Sequence, residues 1–466
     1  MKYLFYDIGL LVLFALFVFI FLYRKRANLK KEGLLFLYRT KWGMKFIDYV
    51  GKKYTKTLNI VSYISITFGY FLMIGMLYLF GKIVYLYIAY PAIVREVKVP
   101  PIMPLVPYLP QAFKLSFLPP FFFIYWIVIL AIIAIAHEFA HGIFMRKYNI
   151  QIKSTGFGFF PFFLPVFLAA FVEQDEKSMN KATGFQQKAV LSAGTFANLL
   201  TAILFFIIMI LFFSFSFSAS GVVFDNYAYN VVPIAGITMI NGINVSSPNY
   251  NQIAELSKNN SFNEIKINNE KFIGIMGFSK DKKAIALYYD APAINSGLKG
   301  AILEINETKI TSLEILENKI NSASQGDKIN IKTSEGNYEI ELGKNPENSE
   351  KAWIGIMFEN RESKGALGKV IYSVSSFKKP YIYYESKFEA GEFIYNFLWW
   401  LVLISFSVAL VNMIPAGIFD GGRFFYLTIL GLTKNEKRAK QWFKGMTSVL
   451  LFFLFVLMAF WIVSFL

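Results

Sequence analysis

The 466-residue chain contains no cysteine and only two histidines. Without cysteine, disulfide bonds, thiolate zinc sites and cysteine nucleophiles are all excluded. Charged residues are also scarce, at 17% of the sequence, and the formal net charge of +16 reflects an excess of Lys and Arg over Asp and Glu. Any metal site with more than two protein ligands must therefore use an Asp or Glu carboxylate beside the two imidazoles.

Hydrophobic residues make up 55% of the chain and aromatic residues 18%, and the mean hydropathy is +0.46. These values are typical of membrane proteins. Basic loops facing anionic lipid account for the positive charge, because the Lys and Arg clusters lie between apolar segments. No basic helix or aromatic RNA-binding motif accompanies them, so the expected partner is the lipid bilayer and not nucleic acid. The basic clusters are at 24–31, 52–56, 146–153 and 434–444.

A membrane-spanning helix needs about 20 apolar residues. The first candidate segment is not followed by a small-residue cleavage site, so it is interpreted as a retained anchor and not as a signal peptide. The sequence therefore predicts a polytopic α-helical membrane protein with about six transmembrane helices. The predicted spans are 3–23, 59–89, 120–145, 187–217, 391–413 and 444–466.

The positive-inside rule orients these spans. "RKRANLKK" (24–31) places the first loop in the cytoplasm, and with six spans the basic stretches 146–153, 177–188 and 433–444 fall on the same side. The N-terminus and the long polar segment 218–390 are then predicted to be extracytoplasmic.

Two stretches fit neither a span nor a polar loop. Residues 91–120 are Pro-rich and predict an ordered external loop. Residues 155–172, "TGFGFFPFFLPVFLAAFV", are very apolar, but their prolines and glycines disfavour a straight helix. They predict a re-entrant or interfacial hairpin, which is tolerated at membrane depth only where protein or a water-filled cavity covers it.

Within the external segment, residues 291–333 predict a strand at 301–306, a second near Lys309, a helix at 312–322 and a further strand after "QGD". This stretch resembles a PDZ domain, although the Asp that usually follows the second Gly is absent. Residues 231–256 carry the same "I..INGI.V" core, which favours two PDZ-like units in tandem. One irregular α+β domain is the alternative. The matching positions are Pro292, Ala293, Gly297, Leu298, Ile302, Ile305 and Asn306.

Both histidines lie in "AIAHEFAHGIF" (134–144), inside an apolar span. Positions i and i+4 share one face of a helix, so His137 and His141 can bind one metal ion. Glu138 lies beside the first ligand, where a carboxylate can take a proton from a water on the metal. Polar residues inside a membrane span cost free energy to bury, and they usually have a function there. Polar contacts to neighbouring helices and a metal-transport site are the alternatives.

A catalytic zinc site commonly has three protein ligands and an open position. With cysteine absent and both histidines used, the third ligand must be acidic, and Asp420 in "NMIPAGIFDGGRFFY" (412–426) is the candidate. Pro415 and Gly417 should break the fifth span and turn this carboxylate inward. A helix cap at the membrane edge is the other possible role of Asp420.

"HEFAH" and "NMIPAGIFDGG" together resemble the HExxH and NxxPxxxxDG motifs of the site-2 protease family of intramembrane metalloproteases. Asn412, Pro415, Asp420 and Gly421 match the second motif. "SAGTFANLL" (192–200) is similar to the family's GPxxN segment at Gly194 and Asn198, with Thr195 where proline is usual. The resemblance places Asn198 near the active site, where it donates to the oxyanion or makes an interhelical hydrogen bond.

The expected function is that of an intramembrane zinc metalloprotease that cleaves single-span membrane proteins, with its active site towards the cytoplasmic side. The alternatives are a metal-ion transporter and a non-enzymatic PDZ scaffold. The expected division of the chain is two N-terminal spans with their loops, the first half of the catalytic core, the PDZ-like region, a connector, the second half of the core, and a final span. The corresponding ranges are 1–118, 119–217, 218–345, 346–390, 391–432 and 433–466.

Overall fold

The structure is a computed structural model that describes residues 2–463 except 33–34, 92–93, 95–99, 102, 116, 160–167, 258–261, 269, 280, 360–364, 366–367, 369–372, 374–375 and 418. The chain forms two compact units. The helical unit comprises Met1–Phe212 and Glu392–Leu466, and the inserted unit comprises Phe213–Gly391.

The helices of the chain include long apolar segments and short polar ones. In chain order they are α1 (Lys2–Arg24), α2 (Met44–Lys53), α3 (Thr55–Ala89), α4 (Leu109–Ala112), α5 (Phe123–Lys147), α6 (Glu176–Lys181), α7 (Gly184–Ser216), α8 (Tyr250–Leu256), α9 (Pro292–Asn295), α10 (Leu313–Asn321), α11 (Gly391–Asn412), α12 (Asp420–Thr433) and α13 (Glu436–Val463).

Six of the described helices are long and apolar enough to cross a membrane, namely α1, α3, α5, α7, α11 and α13. They coincide with the six predicted spans, so the prediction of a polytopic α-helical membrane protein is confirmed. The largest difference is at α13, which begins at Glu436 because the charged stretch before the predicted span continues the same helix.

The strands divide between the two units. In chain order they are β1 (Leu29–Glu32), β2 (Leu35–Thr40), β3 (Ile152–Phe159), β4 (Leu168–Gln174), β5 (Phe217–Val222), β6 (Asn226–Tyr227), β7 (Tyr229–Pro233), β8 (Ile237–Ile240), β9 (Ile243–Asn244), β10 (Ile265–Ile267), β11 (Glu270–Phe278), β12 (Ala284–Tyr289), β13 (Ile302–Ile305), β14 (Thr308–Lys309), β15 (Lys328–Thr333), β16 (Asn337–Glu341), β17 (Gly343–Lys344), β18 (Ala352–Trp353), β19 (Ile356–Met357) and β20 (Ile382–Ser386).

One antiparallel sheet in the order β1-β2-β3-β4 belongs to the helical unit. Phe157 of β3 lies opposite Tyr38 of β2 and Ala170 of β4. Strands β3 and β4 cover much of the predicted hairpin 155–172, whose residues 160–167 lie outside the described part of the chain. Its re-entry into a bilayer stays a prediction. Strands β1 and β2 come from the basic loop after the first span, where charge alone had indicated only a loop.

Helix α5 carries both histidines on a buried face. Ile133, His137 and His141 are each less than 9% exposed. The close approach of α2 depends on Gly142, because a Cβ there would lie 2.9 Å from Cδ1 of the fully buried Ile47. The packing of α5 against α2 therefore depends on this close approach.

The N-terminus of α5 is capped by a carboxylate from another span. Asp7 of α1 accepts hydrogen bonds from the main-chain N–H groups of Phe123 (2.6 Å) and Ile124 (2.9 Å). It also accepts one from the Tyr108 hydroxyl (2.6 Å). Asp7 is 5% exposed, and a buried carboxylate is stabilised at this position by free N–H groups and the positive end of the helix dipole.

The inserted unit contains two larger sheets, each with its own apolar core. One has the strand order β7-β12-β11-β10-β8-β9, and the other has β16-β15-β13-β5-β20 with β14 paired to β13. The predicted strands at 301–306 and near Lys309, the helix at 312–322 and the following strand are confirmed as β13, β14, α10 and β15. Assignment of this unit as PDZ-like, single or tandem, stays a prediction.

We expect Asp7→Ala to lower stability by about 1–3 kcal/mol, since three buried or partly buried donors lose their shared acceptor. Thermal unfolding in detergent measures the change. Tyr6→Phe, on an exposed side chain of the same helix, is the matched control and should leave the transition unchanged. Equal unfolding temperatures for the two variants would contradict a stabilising role of Asp7 at the N-terminus of α5.

Candidate metal centre

The two histidines of α5 point their distal ring nitrogens at one place. Nε2 of His137 and Nε2 of His141 are 2.9 Å apart, and the residues are 8% and 7% exposed. This juxtaposition follows from the i, i+4 spacing, which puts both side chains on one face of the helix.

Asp420 reaches the same place from a different helix. Helix α11 ends at Asn412, the chain turns through the buried Pro415, and α12 begins at Asp420. The turn is tight enough that a Cβ on Gly421 or Gly422 would overlap the main chain of the preceding segment. The helix break predicted from proline and glycine is thus confirmed, and it aims the carboxylate inward.

The Asp420 carboxylate is equidistant from both imidazoles. Its Oδ2 atom lies 3.3 Å from Nε2 of His137 and 3.3 Å from Nε2 of His141. One ligand atom from each of the three residues lies within 4.8 Å of the other two. The structure therefore brings together the three side chains predicted to bind the metal.

The other ring nitrogen of each histidine also has a partner. His141 Nδ1–H donates to the Val190 carbonyl at 2.7 Å, which leaves the Nε2 lone pair free for a metal. His137 Nδ1 lies 3.0 Å from Nδ2 of the Asn198 amide, and the buried Oδ1 of that amide has no hydrogen-bond partner among the described residues. The oxygen and nitrogen of an amide are nearly isosteric. Turning the amide by about 180° would bring Oδ1 to the ring, where it would accept from Nδ1–H and free Nε2 of His137 in the same way.

Asn198 is fully buried and contacts His137. This contact suits a positioning role, because a hydrogen bond on Nδ1 fixes the ring orientation and the tautomer. Donation by Asn198 to an oxyanion stays a prediction.

Gly194, one turn before Asn198 on α7, lies directly against both rings. A Cβ at this position would come within 2.7 Å of His137 Cε1 and closer still to His141 Nε2. Only a residue without a side chain lets α7 approach the imidazoles this closely. Both matches to the GPxxN segment thus contact the histidines.

Glu138 lies on the cavity side of the histidine pair. Its Oε2 accepts a hydrogen bond from the Val172 main-chain N–H of β4 at 2.9 Å. Glu138 and the three candidate ligands all line one cavity of about 560 Å³, and the strand β4 forms another of its walls.

Two ion pairs include residues that line this cavity. Arg39 Nε donates to Glu173 Oε2 at 2.8 Å, and the Ser154 hydroxyl donates to the same oxygen at 2.7 Å. These contacts, with Arg39 the larger contributor, hold the pKa of Glu173 below its ordinary value. Arg423 on α12 pairs with Glu176 at 3.3 Å. The cavity therefore has a polar, charged lining beside the buried ligand cluster.

The donor set fits a divalent zinc ion. Two imidazole nitrogens and one carboxylate oxygen make up a common catalytic zinc set, with bond lengths of about 2.0–2.2 Å. The observed separations of 2.9–3.3 Å between donor atoms are those of atoms that share one coordination sphere. The adjoining cavity gives the open side that a catalytic site needs.

A comparison of the chain with protein families decides its membership. The model of Peptidase family M50 matches residues 125–457. The chain belongs to peptidase family M50. The site-2 protease resemblance predicted from the two motifs is thus confirmed, and the M50 family consists of metallopeptidases.

A curated relative shares part of this chain. The protein named "Uncharacterized protein MJ0971" from Methanocaldococcus jannaschii is 28% identical over 198 residues. The match covers 41% of the present chain and 48% of the relative, so it spans about half of that protein's length.

The main-chain partners of Glu138 and His141 were not predicted from the sequence. Val172 and Val190 contribute an N–H and a carbonyl, and neither side chain signals such a role. Arg39 was also missed, because its strand joins the sheet through pairing distant in sequence. The apolar segment 155–172 gave the only hint that β4 would adjoin the site.

Gly194→Ala should abolish or strongly weaken metal binding while the chain still folds, because the added methyl group occupies the space of the ligand imidazoles. Zinc content of the purified protein, measured by mass spectrometry, tests this. Gly184→Ala at the start of the same helix is the control, since a Cβ there meets no atom of the described residues within 4 Å. Normal zinc content in Gly194→Ala would contradict the close packing of Gly194 against the two imidazoles.

Proposed function

We propose that the chain is a zinc-dependent intramembrane endopeptidase of the site-2 protease kind. The observation that carries the proposal is the convergence of His137, His141 and Asp420, with Glu138 beside them on the open cavity. Membership of peptidase family M50 supports peptide-bond hydrolysis as the reaction. Location of the histidines in an apolar helix supports catalysis within the bilayer.

His137, His141 and Asp420 would hold the zinc ion. When bound, zinc lowers the pKa of a coordinated water and polarises the carbonyl that is attacked. Glu138 takes a proton from the attacking water and passes it to the leaving amine as the C–N bond breaks. Asn198 and the Val190 carbonyl hold the imidazoles in the required orientation.

The substrate would bind as an extended strand beside β4. A helical substrate hides its carbonyl groups in its own hydrogen bonds, so a transmembrane helix must unwind locally before cleavage. Strand β4 is at one edge of the four-stranded sheet, and Ala170 to Gln174 line the cavity. An unpaired edge offers N–H and C=O groups to an incoming strand. The opposite edge, β1, carries Lys30 and Lys31, residues that discourage strand addition.

These features favour single-span membrane proteins as substrates. The positive-inside orientation would place the active site towards the cytoplasmic side of the cell membrane and the inserted unit outside. In that arrangement, the inserted unit would act as a PDZ-like filter that admits substrates whose outer domain has already been trimmed. Strand addition is the binding mode expected of such a domain.

Glu138→Gln should lower cleavage of a model single-span substrate by about 10²–10⁴-fold, because the amide cannot accept the proton from water. Its zinc content should be unchanged, whereas Asp420→Ala should lose both zinc and activity. Glu436→Gln, on the exposed start of α13, is the control.

Full cleavage by Glu138→Gln would overturn the assigned mechanism. Unchanged zinc content in Asp420→Ala would show that Asp420 is not the third ligand. A transporter would be favoured instead if the wild type does not cleave the substrate and if Glu138→Gln still carries metal ions into vesicles.

Removal of most of the inserted unit should allow cleavage of untrimmed substrates. Val223 N–H donates to the Tyr381 carbonyl at 2.8 Å, and β5 pairs with β20. A short linker replacing 224–380 would therefore keep this strand pair. The measurement compares cleavage of substrates with intact and trimmed outer domains by the full and shortened chains. Unchanged selectivity would rule out the filter.

A further inference from the structure

Val172 occupies an unusual place on the edge of β4. In an antiparallel pair, a residue either exchanges both main-chain hydrogen bonds with its partner or directs both groups away from it. Val172 lies opposite Thr155 of β3, yet its N–H is donated to Glu138 of α5. Its main-chain groups therefore face away from the sheet, towards α5 and the cavity.

The same alternation fixes the direction of the neighbouring groups. Ala170, two residues earlier and opposite Phe157, also directs its N–H and C=O outward. An incoming strand can pair with both groups of Ala170. At Val172 only the carbonyl remains, because the N–H is already bonded to Glu138.

The position of Val172 is fixed from the neighbouring residue. Glu173 is anchored by Arg39 of β2 at 2.8 Å and by Ser154 of β3 at 2.7 Å. These contacts tie β4 to two strands of the sheet directly beside the Val172 amide. The donor to Glu138 is therefore part of a cross-linked sheet and not of a free loop.

We propose that the Val172 main-chain N–H positions the Glu138 carboxylate and sets the register of cleavage. A substrate strand on β4 pairs with Ala170, and its residue opposite Val172 is left without a main-chain donor for its carbonyl. That carbonyl is the one beside Glu138, so it is the one attacked. Val172 is a positioning residue, and this inference rests on the proposed protease function.

The first experiment removes the N–H in two ways. Val172→Pro deletes it at an outward-facing edge position, where proline is tolerated, and an ester in place of the Phe171–Val172 amide deletes it with little change in shape. Val172→Ala keeps the N–H and measures the effect of shortening the side chain, and the wild type is the reference for the ester. Loss of a hydrogen bond to a carboxylate should lower kcat at least about tenfold, with KM unchanged within about threefold. Mass spectrometry of the products should show cleavage spread over neighbouring bonds.

Ala170→Pro is the contrasting variant. It removes the outward donor assigned to substrate pairing, so KM should rise while the cleaved bond stays the same. If the Val172 ester raises KM in this way with kcat retained, Val172 pairs with substrate and the proposal is wrong. If the ester cleaves the wild-type bond with the wild-type kcat, the proposal is also wrong.

A second measurement does not depend on activity. In metal-free protein, hydrogen exchange at the Val172 amide should be slow in wild type and faster in Glu138→Ala, with the Phe171 amide as an internal reference. Equal protection of the Val172 amide in both proteins would show that this N–H does not donate to Glu138. Absence of zinc-dependent cleavage by wild type would instead overturn the proposed function, and the exchange result would still decide whether Val172 holds Glu138.

Discussion

The structure depends on one electrostatic constraint, the need to keep an acidic group and two imidazoles together inside an apolar helical unit. An isolated carboxylate buried in a low-dielectric environment is costly unless a countercharge or hydrogen-bond donors compensate it. Among the residues that the structure describes, the basic groups nearest to Asp420 are the two imidazoles, which lie 3.3 Å away. A divalent cation at this point satisfies all three groups at once. The glycines around the site then follow from geometry, since α7 and the turn before α12 must approach without side chains.

The same constraint explains why the groups outside the ligand set are mostly main-chain atoms. A carbonyl or an amide N–H can orient a ligand without adding another charge to the interior. Val190 serves His141 and Val172 serves Glu138 in this manner. Charged side chains such as Arg39 and Glu173 are kept at the cavity lining, where they pair with each other and remain partly exposed.

Side-chain chemistry with a fixed spacing was predictable from the sequence. His137 and His141 followed from helical periodicity, and Asp420 followed from the absence of cysteine and of a third histidine, together with Pro415. The six spans followed from their apolar lengths. Interactions carried by the main chain were not predictable, because Val172 looks like any other strand residue. Pairing of β2 with β3 was missed for a related reason. It joins segments more than 100 residues apart, and only the tertiary fold sets that register.

The N-terminal part of the chain contributes to the site although the M50 match begins only at residue 125. Asp7 caps the helix that carries both histidines, Ile47 packs against Gly142 on that helix, and Arg39 anchors the residue next to Val172. Asp7 fixes the N-terminal end of α5, Ile47 fixes the packing of that helix against α2, and Arg39 fixes the position of β4. A polar residue in an apolar span usually has a definite partner, and for Asp7 that partner is the N-terminus of α5. The first two spans and the sheet between them therefore act as a support that holds α5 and β4 at the spacing that the Glu138–Val172 bond requires.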